Sequence, residues 1–112
     1  MAIDGDDNRP PILRLLEADE PLHGQARAED AILVVTDRRL AVATTDDRFD
    51  LDIPFDRLRR VQFDIERTRP ATLVLVPESP SDRPQVLAIP STEYESAAQV
   101  LAVIGKRLSE LP

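Results

Sequence analysis

From Leu22 onward the apolar and polar positions of the chain follow the period of β-strands, and only after Pro90 does the period lengthen to that of a helix. The runs AILVVT and RLAVAT, within 31–44, flank the polar stretch Thr36, Asp37, Arg38 and Arg39, and a turn this tight makes them adjacent antiparallel strands. Phe49, Leu51, Ile53 and Phe55 alternate with Asp50, Asp52 and Pro54, which predicts a half-buried strand ending near Pro54. Val61, Phe63 and Ile65 alternate in the same way with Gln62, Asp64 and Glu66. Two further runs, 72–76 and 85–89, are bracketed by Pro70, Pro77, Pro80, Pro84 and Pro90, which lack the N–H a ladder needs and so should mark where strands stop. With a weaker first run over 22–28, the count is about seven strands, spaced by turn residues as in a sandwich or barrel.

Tyr94, Ala97, Ala98, Leu101, Ile104, Gly105, Leu108 and Leu111 fall on one stripe, which predicts a single amphipathic helix over 92–110. Thr92 and Glu95 are spaced as a capping box at its start. Upstream of the strands, residues 1–11 are acidic and end in Pro10 and Pro11, a composition that cannot bury enough apolar surface to order itself, so a flexible tail is expected. Ile12, Leu13, Leu15 and Leu16 follow the proline pair and suit a short helix docked on the core. Residues 12–112 are then one domain, and 112 residues in all are too few for two.

Charge narrows the classes of function. The net charge is −7, so the long-range field repels phosphate backbones and anionic lipid surfaces, and nucleic acid is not an expected partner. The basic residues are arginines apart from Lys106, a skew suggestive of a GC-rich bacterial source. The chain has no cysteine, which excludes disulfides, thiolate catalysis and cysteine-held metal sites. Its longest apolar run, 31–35, is far shorter than the roughly 20 residues that span a bilayer, and the aspartates of the first ten positions do not fit a secretory signal. The expected location is the cytoplasm.

The strand running into Thr36-Asp37-Arg38-Arg39-Leu40, the segment Asp52-Ile53-Pro54-Phe55 entering Leu58 and Val61, the paired strands after it and the closing amphipathic helix together resemble the bacterial pleckstrin-homology-like domains, relatives of the pleckstrin-homology and GRAM domains. The likeness covers most of 12–111. It implies a mainly β fold, a seven-stranded antiparallel sandwich or barrel of two roughly orthogonal sheets, capped at one open end by the C-terminal helix. It also implies a binding module rather than an enzyme. Relatives that bind phosphoinositides use basic residues around the first hairpin; here that loop reads Arg27-Ala28-Glu29-Asp30, whose two carboxylates oppose a phosphate, so lipid binding is not the favoured reading.

The turn Thr36 to Arg39 needs polar residues for its own hydrogen bonds. Asp4, Asp6 and Asn8 match the opening of a calcium loop, but Arg9 stands where glycine is required and Leu15 where the bidentate glutamate belongs. His23 is the only histidine, which leaves no histidine pair for a metal. Asp50 and Asp52 share a strand face as solvated carboxylates commonly do. The basic cluster Arg57, Arg59, Arg60, Arg67 and Arg69 is the candidate interaction patch, since guanidinium forks grip anionic groups, although Asp56, Asp64 and Glu66 are interleaved with it. No catalytic residue, cofactor or metal is expected. The expectation is a non-catalytic module for protein binding or self-association in the cytosol, with lipid headgroup or phosphate-ligand binding at a membrane surface as the alternative.

Overall fold

The computed structural model describes residues 20–44 and 48–112. The acidic tail over 1–11, the partial calcium motif and the apolar segment at Ile12 to Leu16 fall outside them. Seven strands are present: β1 Leu22–Arg27, β2 Ala31–Thr36, β3 Arg39–Thr44, β4 Phe49–Pro54, β5 Leu58–Glu66, β6 Arg69–Pro77 and β7 Gln85–Ile89. A single described α-helix, α1 Tyr94–Ser109, follows them. Strands β1 to β4 form one antiparallel meander and β5 to β7 a second. The two sheets share no ladder and do not close into a barrel. Isolated hydrogen bonds tie their margins instead: Glu29 N–H donates to the Ala88 carbonyl at 2.9 Å, and Gln85 Nε2 donates to the Asp50 carbonyl at 3.4 Å.

Period-two burial builds the core between the sheets. Leu33 and Val35 of β2, Leu40 and Val42 of β3, Leu51 and Ile53 of β4, Leu73 and Leu75 of β6, and Leu87 and Ile89 of β7 all turn inward. Ala97, Val100 and Ile104 of α1 complete the same cluster. The helix lies against β1 at Gly24, where a Cβ would stand 3.4 Å from Val100 Cγ2 and from Val35 Cγ2, at the near end of ordinary van der Waals contact. On the other face of the first sheet, Ile32, Val34, Ala41 and Ala43 form a second, smaller buried cluster.

Several expectations change in detail, each for a local reason. Phe49 does not share the core face of Leu51 and Ile53: a register shift sets it opposite Ala43, on the other side of the sheet, and it is exposed. β5 begins at Leu58, earlier than its alternation suggests, because an irregularity between Leu58 and Arg60 interrupts the period while keeping Leu58 buried. Pro70 lies inside β6 rather than before it, at an irregularity opposite Asp64 and Glu66 and beyond the reach of β7. The start of α1 is a 3-10 turn, Ser91–Glu93, and neither Thr92 nor Glu95 makes a capping bond; Glu93 occupies the cap position without a side-chain cap. The buried line of α1 is also rotated relative to the predicted stripe: Val100 is fully buried, Leu101 is half-buried, and Ala98 and Gly105 face solvent.

This packing predicts a graded response to truncation of the helix. Replacing Ile104 by alanine should cost about 2–5 kcal/mol, because a fully buried branched side chain is lost from a closed core. Leu101→Ala should cost less, and Gln99→Ala less than about 0.5 kcal/mol, glutamine there being exposed. Urea unfolding of the three variants measures the order; equal losses at Gln99 and Ile104 would show that the helix does not complete the core.

Candidate functional site

The outer surface of the second sheet follows directly from its register. Residues paired across an antiparallel ladder share a face, and those of the outer face form three rows: Arg60 with Val76, Gln62 with Val74 and Val86, and Asp64 with Thr72 and Ala88. Their neighbours Val61, Phe63, Leu73, Leu75 and Leu87 point the opposite way, toward the core. Val86 is 68% exposed, whereas Val34, on the corresponding outer face of the first sheet, is 1% exposed. Val74, Val76 and Ala88 are half-buried, and the polar residues Arg60, Gln62 and Asp64 all lie on the β5 side.

The five arginines of the predicted patch do not gather at one point. Arg57, in the 3-10 turn Phe55–Arg57, stands near Arg59 and Arg60 at the start of β5. Arg67 and Arg69 lie at the other end, about 26 Å away at roughly 3.3 Å per strand residue. There they border an open depression of about 580 Å³ with Ile65, Pro70, Pro90 and Tyr94. Tyr94 meets Phe63 edge to face, with centroids 6.1 Å apart. Arg69 pairs with Glu66 at 3.2 Å, while the guanidinium groups of Arg57, Arg59, Arg60 and Arg67 have no ion-pair partner among the described residues. Asp64 accepts from Gln62 Nε2 at 2.9 Å along the same strand face.

The first hairpin loop is occupied by the protein's own contacts. The backbone N–H of Arg27 donates to Glu93 Oε1 at 3.0 Å, and that of Ala28 to the Ala31 carbonyl at 2.8 Å. With Glu29 bound to Ala88, successive loop amides are already used, one of them by a carboxylate.

A second polar centre holds the β2–β3 turn. Thr36 Oγ1 accepts from the backbone N–H groups of Arg38 and Arg39 at 3.1 and 3.2 Å, a local turn motif, and donates to Glu20 Oε2 at 2.7 Å. Arg39 grips Glu20 with both arms of its fork, at 2.8 and 2.7 Å, and reaches Asp52 at 3.1 Å. The Glu20 side chain is fully buried. Nearby, Asp37 Oδ1 hydrogen bonds both His23 Nε2, at 2.5 Å, and Arg107 Nη2, at 2.6 Å, which fastens β1 and the end of α1 to the turn. A lone glutamate beside a proline carries no sequence signal of burial, and Thr36 and Arg39, which bind Glu20, lie 16 and 19 positions away.

A buried carboxylate that loses a two-pronged guanidinium contact is costly, so Arg39→Ala should destabilise the fold by about 3–5 kcal/mol, and adding Glu20→Gln should recover part of that loss. A double-mutant cycle by urea unfolding measures the coupling; additive losses would mean that the pair contributes no mutual stabilisation.

No protein-family model, no curated protein and no solved structure matches the chain.

Proposed function

We propose that the chain is a non-catalytic interaction module of pleckstrin-homology-like fold, which binds another protein, a further copy of itself included, through the outer face of β5, β6 and β7. The fold reading is supported by the order of four strands, three strands and one closing helix. The functional reading is carried by the exposure of Val86 beside Val74 and Val76, with Arg60 at the margin. An apolar centre edged by arginine is the composition of protein interfaces, since burial of valine stabilises contact and the planar guanidinium adds directed hydrogen bonds. Headgroup binding is the weaker reading: Glu29, Asp30 and the Glu93 carboxylate crowd the first hairpin loop, and the net charge is −7.

Val86→Asp tests the face, because an exposed outer valine can be replaced without touching the core. Immobilised at equal density and offered native extract, the wild type should retain proteins that the variant loses, while the circular dichroism of the two stays the same. A retained set indifferent to the substitution removes this face from the reading. In co-sedimentation with vesicles rich in phosphatidylserine or phosphoinositide at physiological salt, the protein should stay in the supernatant; pelleting with the vesicles would restore the headgroup reading.

A further inference from the structure

We infer that the occupant of this face is a second copy of the chain, related by a two-fold axis that lies between the facing β5–β7 sheets of the two copies and runs along the row Gln62, Val74, Val86. The inference rests on the proposed use of this face for binding and adds the identity and orientation of the partner. Its basis is the charge pattern of the outer rows. Arg60 and Asp64 flank Gln62 on β5, two residues to either side and thus in the neighbouring outer rows. Rotation about an axis across the strands at that row reverses the strand direction, so Arg60 comes opposite Asp64 of the partner copy and Asp64 opposite its Arg60. The same rotation stacks Val74 on Val74 and Val86 on Val86, and sets Val76 over Thr72. Rotation about the other in-plane axis, along β6, would instead press Asp64 against Ala88, which leaves a carboxylate against an apolar surface.

The state of these charges within one chain agrees with that arrangement. The Arg60 guanidinium has no ion-pair partner among the described residues, and the described partner of Asp64 is the neutral Gln62 amide, which leaves carboxylate lone pairs for a cation from outside. Three short rows cover less than the roughly 800 Å² per partner of a stable interface, and each chain carries −7, so the association is weak and concentration-dependent.

Charge reversal reads the geometry directly. Sedimentation velocity and equilibrium on the full chain, from micromolar to millimolar concentration, should show reversible dimerisation. Val86→Asp should abolish it, and Arg60→Asp or Asp64→Arg alone should each weaken it by about tenfold or more, since two attractive pairs become repulsive. The combined variant Arg60→Asp/Asp64→Arg should return to within about threefold of the wild type. An equimolar mixture of the two single variants should form a heterodimer, because each residue of the acidic copy then meets an arginine of the basic one. Circular dichroism of each variant confirms that the fold is retained. A wild type that stays monomeric at every concentration, or a dimer indifferent to these reversals, overturns the inference. A monomer whose capture of a different protein is still lost in Val86→Asp overturns the second copy as occupant and leaves the binding face standing.

Discussion

Two antiparallel sheets that share no ladder, and only isolated hydrogen bonds at their margins, stay together chiefly through the core they share, and in this chain that core is finished by the helix. Val100 and Ile104 join Leu33, Val35 and Leu73 in one buried cluster, and α1 meets β1 at Gly24, beside Val100. A core this small has little to lose, because native stability is a difference of a few kcal/mol between large opposing terms. The helix is therefore committed to packing. Its inward residues belong to the core, Glu93 at its cap position is bound to the Arg27 amide, and Arg107 near its end is bound to Asp37.

The same economy governs the charges. Arg39 and Arg107 are spent on holding corners of the fold, Arg39 on a buried carboxylate and Arg107 on the turn aspartate that also binds His23. A pair such as Glu20 and Arg39 gives position more than stability, since desolvation of both groups offsets most of their attraction. The arginines at the start of β5 and in the β5–β6 turn differ in kind: Arg57, Arg59, Arg60 and Arg67 stay in solvent without an ion pair among the described residues.

Legibility in the sequence followed the strength of the local period. The β2–β3 hairpin, the alternation of β4 and β5 and the existence of the closing helix were all readable, because turn chemistry and periodicity are local properties. What failed was phase. From Ala97 to Ile104 nearly every position is apolar, so the period places Ala97 and Ile104 on the buried side but does not separate Ala98 and Gly105, which are exposed, from Val100, which is fully buried. Phe49 alternates in step with Leu51 and Ile53, yet a register shift, which an alternating pattern does not reveal, turns it to the other face. In β6, where Leu73 and Leu75 point inward and Val74 and Val76 outward, both faces are apolar, and composition alone could not say which one water reaches.

The route by which a second chain can attach is limited by the edges of the second sheet. An open strand edge is the usual site of strand addition, and natural sheets blunt it with prolines, bulges and charge. β7 is five residues long, lies between Pro84 and Pro90, and already gives its Ala88 carbonyl to Glu29, so it offers little free backbone. β5 is longer, but irregularities between Leu58 and Arg60 and between Asp64 and Glu66 bend the ladder near both ends, and Arg59, Arg60, Asp64 and Glu66 line it with charge. Both edges are thus poor templates, whereas the face between them is apolar at Val74, Val76 and Val86. Contact through side chains across a face needs no unpaired backbone, and on this sheet it is the mode of association that the edges leave open.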